Sequence, residues 1–187
     1  MTRSKNTTRA DNQQERLAKH IGWIVGFVDG EGCFSINFIR QPDRKEKERV
    51  RRGYKTGYQI FHEFAVTQGE SSKDVLDDMR EYFGVGGVYV NTRYDNHTEH
   101  LYRYVVRKRS DLLNVIIPFF ERNTLLTVKQ KNFTKFAACV RAIEQKKHLT
   151  PRGLTAIARI ASTMNRKRNG KVLARILRDH TSNTPRG

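Results

Sequence analysis

The sequence predicts an α+β fold in the order helix-strand-strand-helix-strand-strand-helix, with a four-stranded antiparallel sheet and the helices on one face of it. Three observations predict this class. Two segments alternate apolar and polar residues and a second pair flanks a turn-rich connection, segments with helical spacing separate and follow these pairs, and the 187 residues suffice for one buried core. Because strands paired as hairpins bury one face, the apolar faces are expected beneath the helices.

The chain is expected to divide into one domain and two tails. Residues 1–16 are polar and basic and are interpreted as a flexible arm, residues 17–165 as the domain, and residues 166–187 as a basic tail or short helix. The first helix is predicted over residues 13–30, where the following Gly-Glu-Gly would end it.

The first pair of strands is predicted over residues 33–39 and 58–68, and the second over 87–93 and 99–108. The proline-started, charged stretch 41–55 is interpreted as a long loop or a flexible hairpin end. Between the pairs, Ser71 or Ser72 is expected to cap a helix that Gly84 closes.

Three helices are predicted after the second pair of strands. Ser110 is expected to cap the first, Thr127 to start a longer one that runs to about residue 147, and Thr150 with Pro151 to start the third.

The charge of the chain predicts a polyanionic partner. Lys and Arg number 36 against 19 Asp and Glu, a formal net charge of +17. No segment approaches the ~18 apolar residues of a membrane-spanning helix, so nucleic acid is favoured and a membrane is not. The two cysteines lack CxxC partners, which argues against a zinc module or a disulfide framework and fits a reducing compartment.

Glycine recurs every four residues in the first helix. Gly22, Gly26 and Gly30 share one side with Val25 and Asp29, and each glycine costs about 1 kcal/mol relative to alanine. Such a stripe lets a second helix backbone approach closely. Since no second helix of this kind was found in the chain, we expect the same helix of a second copy to pack there about a two-fold axis.

Acidic residues stand at the end of this helix. Asp29 is expected to accept N–H bonds at a helix end or to lock the dimer, while Glu31 follows where the chain reaches the sheet surface. Two copies would bring two Glu31 carboxylates near the axis, where carboxylates close to phosphate hold hard cations such as Mg²⁺. This arrangement indicates phosphodiester cleavage.

The same residues carry a family resemblance. The stretch IVGFVDGEG (24–32) resembles the signature of the LAGLIDADG homing endonucleases, and similarity continues through FAVTQ (64–68), FGVGGVYV (83–90), IIPFF (116–120) and LLTVKQKNF (125–133). The resemblance extends from residue 17 to about 143, with a weaker likeness in GLTAIARIASTMN after it.

The resemblance implies a homodimer that lays its DNA-binding sheets along the major groove and hydrolyses both strands of a long, nearly palindromic double-stranded site. It also implies Mg²⁺ as cofactor, with Mn²⁺ or Ca²⁺ as substitutes for binding. Glu31 corresponds to the metal-binding acid, the Gly30 carbonyl would assist it, and Gln68 and Lys129 match active-site residues. Ser72 departs from a basic residue that some relatives carry, although Lys73 is next to it.

Strand positions that face away from the helices are hypothesised to read bases, with Glu63 accepting from cytosine and Phe61 touching thymine methyl groups. They are Ser35, Asn37, Gln59, Phe61, Glu63, Tyr89, Asn91, Arg93 and Arg103. Cations in the long loop are hypothesised to contact phosphates. They are Arg44, Lys45, Arg51, Arg52 and Lys55.

Two other functions stay open: an RNA-binding intron maturase, for which intron RNA would be a partner, and a non-cleaving sequence-specific DNA-binding protein. Glu31 with Gln68 and Lys129 favours cleavage. The cluster at residues 97–100 is interpreted as a solvated or phosphate-contacting turn rather than a metal site, and His62 as a hydrogen-bonded core residue. The protein is expected to be intracellular, in an organelle or a bacterial cytoplasm, and not secreted.

Overall fold

The computed structural model describes residues 9–47, 49–92, 99–165 and 170–181 and confirms the α+β class. The main sheet contains β1 (Gly32–Arg40), β4 (Tyr58–Gly69), β5 (Gly87–Asn91) and β6 (Leu101–Val106). It is antiparallel throughout and has the order β1-β4-β6-β5, as expected for two hairpins laid side by side.

Seven helices accompany this sheet in the described ranges. They are α1 (Arg9–Glu31), α2 (Lys73–Phe83), α3 (Arg109–Asp111), α4 (Ile117–Arg122), α5 (Lys129–Glu144), α6 (Pro151–Ser162) and α7 (Gly170–Thr181). A π-helical turn, Leu112–Ile116, joins α3 to α4. Within those ranges, no helix is both long and apolar enough to cross a membrane.

One face of the sheet forms the core with the helices. Phe34 of β1 lies opposite Phe64 of β4, and Val66 of β4 lies opposite Tyr104 of β6. All four side chains are buried, and the rings of Phe34 and Phe64 stack with centroids 5.1 Å apart. Because side chains alternate across a strand, this register leaves the odd-numbered positions of all four strands on the opposite face.

Two of the predicted helix boundaries are confirmed by their capping bonds. Gly84 adopts a left-handed conformation (φ 65°) at the end of α2. At the start of α6, the Thr150 hydroxyl accepts the Gly153 N–H at 3.1 Å.

The predicted serines make no capping bonds, although Ser72 occupies the N-cap position of α2. Ser72 makes no side-chain capping bond, and the Ser71 N–H is instead bonded by the Glu99 carboxylate at 3.3 Å. Ser110 lies inside α3, since the helix begins one residue earlier, where the Lys108 carbonyl accepts the first helical N–H groups.

Two segments are more ordered than the sequence predicts. Residues 41–55 contain a short hairpin, β2 (Arg44–Glu46) with β3 (Arg49–Arg51), which the Asp43 carboxylate supports by accepting the Gly53 N–H at 2.7 Å. The first helix begins at Arg9, so it includes half of the expected flexible arm, whose residues 1–8 lie outside the described ranges.

The C-terminal tail includes α7, which covers the distal half of the sheet, the end of β1 and β4 that lies away from Glu31. A second apolar cluster joins Tyr58 of β4 to Leu154 of α6 and Ile176 of α7. The Tyr58 hydroxyl donates to Asp179 of α7 at 2.7 Å. The helix therefore supports the distal sheet from the side opposite its open face.

This contact predicts a pH-dependent stability. Burial, with the hydrogen bond to Asp179, raises the pKa of Tyr58 to about 12. Between pH ~10 and ~12 the unfolded chain loses a proton that the folded chain keeps, so this contribution is present below pH ~10 and is lost above it. At pH 7 the free energy of unfolding of Tyr58→Phe is expected to be about 1 kcal/mol lower than that of the wild type.

By pH 12 the variant should be the more stable protein. The wild type has by then lost about 2 kcal/mol of its free energy of unfolding through deprotonation of Tyr58 in the unfolded chain, and phenylalanine has no proton to lose. Urea unfolding of both proteins at pH 7 and between pH 9 and 12 measures the difference. A deficit that stays constant over this range would contradict the assignment to Tyr58.

Candidate nucleic-acid interface and catalytic centre

The register brings the predicted base-reading residues onto one face of the sheet, opposite the helices. Ser35 lies across from Glu63 and Asn37 from Phe61, while Arg103 lies between Thr67 and Tyr89. Gln59 and Asn91 share this parity. Phe61 is 40% and Tyr89 59% exposed, so both aromatic rings are available to a partner. Arg93 lies outside the described residues.

The predicted phosphate-contacting cations surround the small hairpin. Arg44 pairs with Arg51 across β2 and β3, so like charges face each other there, which a polyanionic partner would relieve. All five predicted cations are exposed: Arg44, Lys45, Arg51, Arg52 and Lys55.

Glu31 stands at the junction of α1 and β1. β1 begins at Gly32, which lies opposite Val66, so the junction falls beside the end of β4 that carries Gln68. The Glu31 side chain is exposed and, among the described residues, has no hydrogen bond or ion pair. Its carboxylate is therefore available to a cation or a phosphate-bound water.

Lys129 shares this junction, although 98 residues separate it from Glu31 in sequence. Its ammonium group donates to the Gly30 carbonyl at 2.8 Å. Burial lowers the pKa of Lys129, while the nearby Asp29, Cys33 and Glu31 act in the opposite direction. The structure thus brings together three of the predicted site residues, with a cation already on the carbonyl that was expected to assist a metal.

Asp29 caps a segment of its own chain. Its carboxylate accepts the N–H of Leu126 at 2.7 Å, the N–H of Thr127 at 3.0 Å and the Thr127 hydroxyl at 2.6 Å. The same hydroxyl accepts the Lys129 N–H at the start of α5, which begins two residues after the predicted Thr127. Of the two roles expected for Asp29, the helix-end role is present, and it holds Lys129 next to Glu31.

Lys73 does not take the role of the basic residue that some relatives carry at the position of Ser72. Its ammonium group bonds to Asp77, one turn further along α2, and lies over the Tyr102 ring at 5.8 Å from the centroid. Tyr102 pairs with Gln68, so Lys73 borders the site but is held by its neighbours.

The glycine side of α1 is open in the single chain. An ideal Cβ at Gly22, Gly26 or Gly30 would meet nothing within 4 Å, so no contact inside the described chain requires glycine at these positions. Val25 differs from the expectation, because it is half-buried against the chain's own core.

Two exposed apolar residues next to the glycine side of α1 were not predicted from the sequence. Leu126 is 89% and Val128 76% exposed, and the Leu126 N–H bonds to Asp29 of α1. Their only sequence signal is an apolar run, LLTV, in a loop. Trp23 of α1 is also exposed, at 41%, and stacks on Phe27.

The surroundings of His62 differ in part from the prediction. His62 is half-buried on the helix side, but its Nδ1 has no hydrogen-bond partner in the described structure, so the expected bonding fails at this atom. Burial lowers its pKa, with Arg109 and His148 adding to the effect.

In the cluster at residues 97–100, residues 97 and 98 lie outside the described ranges, whereas Glu99 accepts the Ser71 N–H. Among described residues, no three His, Cys, Asp or Glu side chains converge as a metal site.

An open sheet face lined by arginine, amide and aromatic side chains, in a chain of net charge +17, defines a nucleic-acid-binding class of protein. An exposed carboxylate beside a partly buried lysine at one end of that face adds a candidate catalytic centre. The family model described as LAGLIDADG endonuclease matches residues 24–140. The chain belongs to the LAGLIDADG endonuclease family.

Solved structures of this family resemble the fold closely. The homing endonuclease I-TnaI is 37% identical, with a TM-score of 0.69 over 85% of this chain and 96% of that one. I-SmaMI, bound to an uncleaved DNA target in the presence of calcium ions, is 27% identical, with a TM-score of 0.65 over 81% of this chain and 47% of that one.

A curated relative is a good deal longer than this chain. An uncharacterized 50.9 kDa protein in ND4 intron 1 of Podospora anserina is 32% identical over 147 residues, 77% of this chain. The chain spans 29% of the length of that relative.

Proposed function

We propose that the protein is a homodimeric endonuclease that cuts both strands of a long, nearly palindromic DNA site with a divalent cation. The observation that carries this function is the junction of α1 and β1, where the Glu31 carboxylate, without a hydrogen bond or ion pair among the described residues, stands beside Lys129. A protein that only binds nucleic acid has no need for a free carboxylate where phosphate would lie. The solved relatives bound to DNA support this function.

Glu31 would hold the cation. Its exposed carboxylate offers the hard oxygen ligands that Mg²⁺ prefers, and the Gly30 carbonyl is adjacent. A divalent cation supplies charge neutralisation at the phosphate and a more acidic water. One carboxylate per chain leaves the donor set incomplete, and a second copy would add its own Glu31 at the axis.

Lys129 and Gln68 would act on the phosphate and the water. The ammonium group of Lys129 is fixed by the Gly30 carbonyl and the capped start of α5, so it can stabilise negative charge that develops on the phosphate without moving. Gln68 would orient the attacking water by hydrogen bonding, from the strand end beside the junction.

The open side of α1 would pack against its copy. Gly22, Gly26 and Gly30 leave a surface without side chains, and the exposed Leu126 and Val128 lie beside it. Burying these two side chains would add apolar contact area at the rim of the helix pair. The dimer would bring two junctions together while each sheet faces one half of the site.

The open face would supply recognition. Amide and arginine side chains of the sheet would contact base edges in the major groove, and the cations around β2 and β3 would contact phosphates. The alternatives carry the same surface: an intron maturase would present it to RNA, and a non-cleaving protein would bind DNA alone.

Cleavage of a randomised duplex DNA library tests the function. Purified protein is incubated with Mg²⁺, with Ca²⁺ and with a chelator, and the cut ends are sequenced. One long, nearly palindromic site, cut on both strands only with Mg²⁺, is the expected result. Folded protein that makes no cuts would overturn it, and binding to intron RNA would then separate the maturase from a DNA-binding protein.

A further inference from the structure

Glu63 lines two hollows on the open face of the sheet. One hollow, of about 560 Å³, is lined by Gln59, Phe61 and Arg107. The other, of about 250 Å³, is lined by Ser35 and Arg103. Glu63 and Asn37 line both. Each hollow therefore contains one arginine, and the same carboxylate lies between them.

Each oxygen of the Glu63 carboxylate accepts a hydrogen bond from one of these arginines. Arg103 Nη2 donates to Oε1 of Glu63 at 2.6 Å, and Arg107 Nε donates to Oε2 at 2.6 Å. The Glu63 side chain is 17% exposed, against 32% for Arg103 and 61% for Arg107. Both carboxylate oxygens thus have charged donors, so a cytosine amino group would have to share an oxygen of Glu63 with a guanidinium group.

The arginines keep most of their donors. A guanidinium group carries five N–H donors, and each arginine uses one of them on Glu63. The remaining donors can form the two parallel bonds that arginine makes to the O6 and N7 atoms of guanine. Arg103 is the better placed for a base edge, because it lies between Thr67 and Tyr89 in the middle of the open face.

We propose that Glu63 is a positioning residue that sets the DNA specificity of Arg103. This inference rests on the proposed function. By fixing the guanidinium group before DNA binds, Glu63 reduces the ordering cost of the correct contact and orients the remaining donors toward guanine. Its negative charge also repels phosphate, so the carboxylate lowers affinity for DNA of the wrong sequence.

A double-mutant cycle tests the proposal. Glu63→Gln, Arg103→Gln and the double variant are titrated, without metal, against the site selected from the library and against variants in which each base pair is changed in turn. Glu63→Gln should reduce the preference for guanine at one base pair about tenfold and tighten binding to unrelated DNA. Arg103→Gln should affect the same base pair, and the double variant should lose little more.

The matched control is Glu121→Gln. Glu121 is also paired with an arginine, Arg141, through bonds of 2.8 and 2.9 Å, but it lies on α4, remote from the open face. It should change neither base preference nor non-specific affinity. Thermal unfolding of each variant shows that the fold is kept.

Three results would overturn the proposal. Additive effects of the two substitutions would separate Glu63 from Arg103, and a loss of preference for cytosine at another base pair would make Glu63 a direct reader. Equal weakening at every base pair would make its role structural. Each leaves the endonuclease function standing, whereas a wild-type protein without any base preference overturns both.

Discussion

Glu31→Gln is expected to abolish DNA cleavage while the fold and DNA binding persist. The loss should be about 10³-fold or more, because the amide is a poor ligand for a hard cation and the cation would carry most of the charge stabilisation. The carboxylate has no hydrogen bond or ion pair among the described residues, so its replacement removes no contact within the chain. Cleavage rates and binding affinities on the selected site, measured in Mg²⁺ and in Ca²⁺ respectively, give the two quantities.

Glu81→Gln is the control for this substitution, since it removes an exposed carboxylate from α2. It should cleave as wild type does. Full Mg²⁺-dependent cutting by Glu31→Gln would remove Glu31 from the catalytic centre and would leave the free carboxylate at the junction without an assigned role.

Gly26→Leu is expected to convert the proposed dimer into a folded monomer. In the single chain a Cβ at this position meets nothing within 4 Å, and leucine favours a helix by up to about 1 kcal/mol over glycine, so the chain itself should not be destabilised. In the dimer two leucines would be forced into the helix contact, and overpacking typically costs about 1–3 kcal/mol for each. Light scattering measures the mass, and circular dichroism shows the fold.

The control is Ala138→Leu, which adds the same side chain at an exposed position of α5 and should leave the mass unchanged. A Gly26→Leu protein that stays dimeric would move the interface away from the glycine side. A dimer that persists in that variant but is lost on replacing Leu126 and Val128 with serine would place it on the exposed loop instead.

The sheet was predictable because its information is local. Alternation in residues 33–39 and 58–68 assigns each side chain to one of two faces, and that assignment needs no knowledge of the partner strand. The register therefore confirms Ser35, Asn37 and Tyr89 on the open face together. Helix ends were predictable where a residue has one dominant conformational role, as Gly84 and Thr150 do.

The interactions that define the site were less predictable, since they join residues distant in sequence. Asp29 and Thr127 are 98 residues apart, and Arg103 and Glu63 are 40 apart. Periodicity places each on a face but does not say which opposite charges meet. For the same reason the sequence predicts Glu63 only as a base reader and does not predict its hydrogen bonds to two arginines.

The packing of α7 against the sheet was also not predictable from the sequence. Its sequence is basic, and its apolar residues become significant only where Tyr58 and Ile60 at the distal end of β4 need a cover. The interaction of Ser71 was unpredictable for a related reason, because the carboxylate that reaches it belongs to Glu99, 28 residues away, just before β6.

In the proposed enzyme, two copies each bring one cleaving centre to the DNA, and dimers of mixed composition test this arrangement. Each chain carries its own Lys129 against its own Gly30 carbonyl, so Lys129→Met in one chain should disable one centre. Differently tagged wild-type and variant chains are coexpressed, purified through both tags and given the selected site in Mg²⁺. The mixed dimers should nick one strand, whereas tagged wild-type pairs should cut both. Mixed dimers that still cut both strands at the wild-type rate would contradict it.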